Sequence, residues 1–267
     1  RSYSVTGVQT CALPIFEKEK YKKELKLARD MQMKLLPQEL PEIENYDIAA
    51  YTKPAEEVGG DFYDMGQLKN GKYCILIGDV SGKGISAAFY MAQLKGIVLA
   101  VAKESESGRD LLVRLNDTLY GNMDKRMYIT LSAIVIEDRA GSLTLARAGH
   151  LPGLMVGGGK CELIKPPGLG LGLKENGFFS KYISEQKFSL AENEALVLIT
   201  DGVNEVRNET GDELGLNNLK LFLENQVYIT SKEYIGGINE YVTKYMGNNI
   251  QHDDITIISL VYKGEVQ

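Results

Sequence analysis

The sequence predicts a layered α+β fold, and three observations carry that prediction. Strand-like and helix-like stretches come in blocks (sheet, helices, sheet, helices, one last strand) rather than in the strict βαβ alternation of a doubly wound fold. Lys69-Asn70-Gly71 between two apolar runs is a hairpin signal, which makes the first pairing antiparallel. Asp61, Asp79, Asp201 and Asp253-Asp254 each stand where an apolar strand begins or ends, beside Gly or another acid. Acids are unfavourable in strands and rarely buried, so four such placements need a reason.

Composition narrows the function. At 267 residues and 44% hydrophobic, the chain can bury the core of one large domain or two small ones. A net charge of -6 lacks the basic surplus of a nucleic-acid footprint. No apolar run reads as long enough to span a membrane. Cys11, Cys74 and Cys161 are too scattered for a disulfide framework or a thiolate zinc site, which fits a reducing, cytoplasmic setting. His150 and His252 are too few to build a histidine metal site.

Arg1–Phe16 has no periodicity and no signal-peptide form. Val5 to Ile15 looks like a translated sequencing adapter, so residues 1–16 are expected to be a non-native tag, with a natural sensor domain missing upstream. Residues 17–45 are a linker helix and its connection. Glu17–Leu36 is charged and free of Gly and Pro, and Pro37 and Pro41 end it. Tyr21, Leu25, Ala28, Gln32 and Leu35 form a heptad seam with one polar member. Such a helix either lies on its own domain or pairs protomers into a homodimer.

Residues 46–267 form the main domain. Tyr46–Lys53 is a strand; the hairpin follows, its second arm (Tyr73–Asp79) apolar enough to be central in a sheet. Ile85–Lys103 reads as a buried helix, and Ser107 as the N-cap of a second one to about Met123. Tyr128–Glu137 and Ser142–Ala148 are strands. Gly157-Gly158-Gly159 turns one short strand into another ending at Ile164, and Pro166–Gly172 is a loop. Phe179–Leu190 and Ala195–Thr200 read as strands, Leu216–Asn225 and Ser231–Met246 as helices, and Ile255–Tyr262 as the last strand.

The hairpin fixes a testable register. If its loop centres on Asn70, paired residues have numbers summing to 140, and Asp61 faces Asp79 with Cβ atoms about 4.5–5.5 Å apart. Carboxylates that close repel unless they share a proton or a cation. Asp64, three residues along, points to the other face. A two-residue Asn-Gly turn shifts the register by one and breaks this pairing.

Strand-end aspartates taken singly make Asx turns and caps. Four in one context point instead to Mg²⁺ or Mn²⁺, hard ions that take carboxylate, carbonyl and water oxygens. Gly78-Asp79-Val80-Ser81-Gly82-Lys83-Gly84 resembles a phosphate-binding loop, but has three residues between its glycines and Gly84 where Ser or Thr is needed. A nucleotide-dependent enzyme using Gly82-Lys83-Gly84, or a non-catalytic partner-binding module, are the alternative readings. Lys83 either meets a phosphate or caps solvent at a helix start. His150 is an acid, a substrate contact or a hydrogen-bonded structural histidine. No Ser/His/Asp or Cys/His set suggests covalent catalysis.

Leu35-Leu36-Pro37, Val58-Gly59-Gly60-Asp61-Phe62-Tyr63-Asp64, Asp79-Val80-Ser81-Gly82-Lys83-Gly84, Ala148-Gly149-His150, Thr200-Asp201-Gly202-Val203-Asn204-Glu205 and Asp253-Asp254-Ile255-Thr256 occur in that order. The set resembles the SpoIIE-like branch of the metal-dependent (type-2C, PPM) serine/threonine phosphatases, over about residues 28–263. The resemblance implies an α-β-β-α sandwich, two mainly antiparallel sheets flanked by helices. It also implies a pair of Mn²⁺ or Mg²⁺ ions with a bridging water that attacks phosphorus directly. Asp79 matches the bridging ligand, assisted by the Val80 carbonyl, and Asp61, Asp201 and Asp253 match the others. Asp64 and Asp254 lie in the same motifs. The implied substrate is a phosphoserine or phosphothreonine on an anti-sigma-antagonist protein. The basic residue that grips phosphate in eukaryotic relatives is not evident here.

Overall fold

A computed structural model describes residues 9–264, with side-chain surroundings from residue 19. Residues 1–8 of the tag-like stretch lie outside the described residues. Among the described residues, ten strands form two five-stranded sheets in which every paired neighbour is antiparallel. The first sheet has the order β1 (Tyr46–Lys53), β10 (Ile255–Tyr262), β9 (Ala195–Ile199), β6 (Gly153–Gly157), β7 (Lys160–Ile164). The second runs β2 (Phe62–Gln67), β3 (Tyr73–Val80), β4 (Ile129–Ile136), β5 (Ser142–Ala148), β8 (Glu185–Ser189).

Alternation of side chains along the strands gives each sheet two apolar faces. Ile75, Ile77, Ile134 and Leu145 of the second sheet meet Leu196, Leu198, Ile258 and Leu260 of the first between the sheets. The outer face of the second sheet, with Phe62, Leu76 and Leu131, is covered by α2 (Gly84–Val101) and α3 (Gly108–Leu119). The outer face of the first is covered by α6 (Gly215–Glu224) and α7 (Ser231–Met246). The order of layers is α-β-β-α, as the sequence predicts. Central strands covered on both sides are buried along their length: all eight residues of β10 are buried, Thr256 and Ser259 among them.

Side-chain caps close the N-termini of two helices. Ser107 caps α3, its Oγ accepting from the Asp110 amide at 3.2 Å. Thr230 and Glu233 form a reciprocal capping box at the start of α7. Three expectations need correcting. Phe179–Leu190 is not one strand: Asn176–Tyr182 is a helix, α4, and only Glu185–Ser189 is strand. Buried Phe179 and Ile183 stand four residues apart, and Phe178 stacks on Tyr182 at 4.5 Å, which is helical spacing. The linker helix α1 spans Gln9–Met33 and so begins before Glu17. Finally, Gly84–Glu104 is long and apolar enough to cross a membrane, with mean hydropathy 1.6. In the fold that helix lies on the second sheet and is not the buried helix the sequence predicts: one face buries Ala87, Met91, Leu94 and Val98, while Ile85, Phe89 and Leu99 are exposed.

Candidate metal centre

The hairpin takes the register centred on Asn70. Phe62 pairs with Gly78 and Gln67 with Tyr73, and the Val80 amide donates to the Gly60 carbonyl at 3.3 Å beyond the ladder. Asp61 and Asp79 therefore end neighbouring strands on the face turned towards the other sheet. There β9 runs out into Thr200-Asp201, and Asp253-Asp254 leads into β10. The acids of four separate motifs converge at one end of the sandwich.

Glycines allow the approach. A Cβ on Gly59 would lie 2.0 Å from Asp254 Oδ2, and one on Gly202 would lie 1.9 Å from the Asp254 carbonyl oxygen. A Cβ on Gly60 would fill the recess into which Asp79 Oδ1 (2.9 Å) and the Val80 carbonyl oxygen (2.8 Å) open.

Each acid has a distinct setting. Asp61 is buried, and Oδ2 accepts from Thr200 Oγ1 at 2.8 Å and Thr256 Oγ1 at 2.6 Å. Burial first, then the neighbouring Asp79, pushes its pKa well above the carboxylate range, and the two threonine hydroxyls oppose that rise. Asp79 is pushed up to about 8 by burial, then by Asp201, Asp253 and Asp254. Asp201 opens the short helix α5 (Asp201–Asn204) and is raised by burial and by Asp253, with the Gly202 amide opposing. Asp253 is half-buried; its Oδ1 accepts from the Asp254 amide at 3.0 Å and its Oδ2 meets Lys83 Nζ at 3.0 Å.

The remaining candidates separate from these. Asp254 spends both oxygens on backbone amides: Oδ1 accepts from Ala55 at 2.8 Å, and Oδ2 from Gly60 at 2.7 Å and Asp61 at 3.5 Å. Asp64 lies on the opposite face of the hairpin, where its Oδ2 meets Lys95 Nζ of α2 at 2.7 Å. Lys83 Nζ also donates to the His252 carbonyl at 2.6 Å, so the lysine of the phosphate-loop alternative is engaged by the acidic end of β10. His150 is buried, with Nδ1 2.9 Å from Thr130 Oγ1, and burial pushes its pKa down to about 4. Burial thus favours the neutral imidazole. Thr200 and Thr256 had no role in the sequence reading, although each stands one or two residues from a candidate acid.

The donor set fits hard divalent ions: carboxylates from both sheets plus the Val80 carbonyl, without Cys or His among them. Among the described residues no three or more Asp, Glu, His or Cys side chains are gathered closely enough to hold a metal ion by themselves. Mg²⁺ in particular keeps several waters and needs few carboxylates.

The SpoIIE family profile (Stage II sporulation protein E) matches residues 69–263, taking in Asp79, Asp201 and Asp253. This chain belongs to the SpoIIE family. That makes it a SpoIIE-like member of the PPM phosphatases. It is 29% identical over 244 residues to phosphoserine phosphatase RsbU of Bacillus subtilis, covering 91% of this chain and 71% of RsbU. It spans less than half the length of the next curated relatives it matches. The SiaA-PP2C domain of Pseudomonas aeruginosa shares the fold with a TM-score of 0.76 at 21% identity, covering 92% of this chain and 99% of that one. RsbX in complex with magnesium superposes at 0.59 and 17% identity, covering 84% and 98% of the two chains.

Proposed function

We propose that this serine/threonine phosphoprotein phosphatase removes phosphate from a phosphoserine or phosphothreonine on a small partner protein of the anti-sigma-factor-antagonist type. We place the reaction in the cytoplasm, with a pair of Mn²⁺ or Mg²⁺ ions as cofactor. One observation carries this reading: Asp61, Asp79, Asp201 and Asp253 meet where two sheets end, and burial plus mutual repulsion raises three of them. An arrangement so costly without cations is the signature of a site built to hold them.

Asp61, Asp79, Asp201 and Asp253, with the Val80 carbonyl, would hold the ions. When bound, the ions supply an acidified water as nucleophile and neutralise charge on the phosphoryl oxygens. The chain's own groups set the stage. Thr200 and Thr256 occupy Oδ2 of Asp61, so Oδ1 is the oxygen offered inward. Asp254 fastens the loop bearing Asp61 through three amides. Lys83 keeps an ammonium beside Asp253 at the rim, where an anionic phosphoryl group would arrive. Direct attack by water needs no covalent phosphoenzyme.

Hydrolysis of an aryl phosphate with and without Mn²⁺, beside a nucleotide-binding control, tests the proposal. Turnover that appears only with the metal, and no nucleotide binding, is the expected result. Metal-independent turnover, or nucleotide binding competed by Lys83→Ala, defeats it.

A further inference from the structure

Gln32 is the polar member of the linker-helix seam, and the structure shows what it does. Its Nε2 donates to the Gly59 carbonyl at 2.6 Å, and its Oε1 accepts from the Gly59 amide at 3.1 Å. One side-chain amide thus satisfies both backbone groups of one glycine, as a neighbouring strand would. The contact is dry: Gln32 is 8% exposed and Gly59 is buried. Ala28, Leu35, Val58, Ile85 and Phe89 wall the apolar groove above it.

Gly59 begins the loop that delivers Asp61. Asp254 holds that loop from the β10 side, on the amides of Gly60 and Asp61. Gln32 holds it from the helix side, across 27 residues of chain. Gly59 itself cannot be replaced without striking Asp254, so the loop is fixed from two directions around a residue lacking a side chain. A buried amide and carbonyl deprived of partners are costly, and the loop would reorganise to find new ones.

We infer that Gln32 is a positioning residue for the metal centre: it reaches from the linker helix to set the Gly59-Gly60-Asp61 loop. The inference rests on Asp61 being a metal ligand. Gln is suited to the task because it carries a donor and an acceptor on one planar group, without adding charge to an acidic site. Leu keeps much of the volume but neither hydrogen bond, and Glu loses the donor to the Gly59 carbonyl.

The test compares wild type, Gln32→Leu, Gln32→Glu and a control, Gln38→Ala. Gln38 bonds the carbonyls of Met33 and Leu36 at the same helix end without touching the loop. Amide exchange of Gly59–Asp61 in the chelated protein and Mn²⁺ affinity by calorimetry are read together; circular dichroism verifies folding. Gln32→Leu should speed exchange at Gly59 and weaken Mn²⁺ binding by about 10–100-fold, the range for outer residues that orient ligands. At saturating Mn²⁺ its turnover should recover most of the wild-type rate, and Gln38→Ala should match wild type throughout. If Gln32→Leu does not fold, Gln32→Glu, which loses the donor and adds a charge, should still speed exchange at Gly59, and unchanged exchange there overturns the positioning role. Unchanged Mn²⁺ affinity in folded variants, with wild type binding the ion, overturns the positioning role alone. Failure of wild type to bind Mn²⁺ overturns the metal reading and this inference with it.

Discussion

The β2–β3 hairpin buries an acid on each of its faces, and the chain handles the two differently. On the outer face Asp64 meets Lys95, a cation supplied by α2 and itself largely buried. On the inner face Asp61 and Asp79 meet more acids from the other sheet, with Lys83 neutralising only the rim at Asp253. A buried carboxylate needs a partner in both places. Outside, the partner is built into the fold; inside, the fold supplies no cation to Asp61 and Asp79, and under the proposed function a metal ion from solution takes that place. Three residues of strand separate the two outcomes.

The largest expected effect follows from removing the centre of the inner cluster. Asp79→Ala should abolish metal-dependent hydrolysis and Mn²⁺ binding, because Asp79 faces Asp61, Asp201 and Asp253 together. The chelated mutant should melt no lower than chelated wild type, since the lost group is one that its neighbours repel. Turnover near wild type at any Mn²⁺ concentration would sink the assignment.

Asp61→Asn should keep the fold and lower metal affinity, because Asn still accepts from Thr200 and Thr256 but offers no charge. Asp64→Asn should do the reverse. It leaves Lys95 buried without its counter-charge, a loss of about 3–5 kcal/mol, while Mn²⁺ affinity stays near wild type. Manganese titrations and thermal melts on both variants separate the faces; a larger affinity loss at Asp64 would reverse the reading.

pH acts on the inner face in the chelated protein. The folded pKa of Asp79, about 8, lies above the ordinary carboxylate value of 3.8. An acid raised on folding favours the folded state while protonated, so that contribution is complete below about pH 3.8 and disappears as pH rises towards 8. Metal-free wild type should therefore melt lower at pH 8 than at pH 5.5, and Asp79→Asn should reduce that slope. Saturating Mg²⁺ should remove it. A chelated protein whose melting point climbs from pH 5.5 to 8 would contradict the crowded-acid picture.

The sequence made much of this legible, for physical reasons. Asn70-Gly71 marks the turn but leaves two registers open; a loop centred on Asn70 pairs Asp61 with Asp79 by counting, and that is the register observed. What it hid were contacts between distant segments. Asp254 looks as much like a ligand as Asp253 until its oxygens are seen on the amides of Ala55 and Gly60. Thr200 and Thr256 look like ordinary strand residues until they meet at Asp61 Oδ2. Gln32 read only as the polar member of a heptad seam because its partner, Gly59, carries no side chain to suggest a contact. The helix Asn176–Tyr182 was hidden by its own aromatics, whose strand propensity outweighed a four-residue spacing over only seven residues.

The smallest effect concerns the linker helix. We propose that it pairs protomers, but through less of the seam than the sequence suggests. Gln32 and Leu35 are turned onto their own domain, while Tyr21 is 66% exposed and Ala28 is also open. That leaves Tyr21, Leu25 and Ala28, barely more than one heptad, as the stripe available to a second copy. So short a seam buries little apolar surface, and association should be weak and dependent on concentration. Ala28 borders the groove over Gln32, so a charge placed there would disturb the loop as well as the pairing. The cleaner variant is Tyr21→Asp with Leu25→Asp, which leaves that groove intact. Sedimentation should show wild type shifting towards dimer as concentration rises and the double variant remaining monomeric, with turnover lower only where wild type is dimeric. If wild type stays monomeric at every concentration and the variant is equally active, the helix serves its own domain alone, through Gln32.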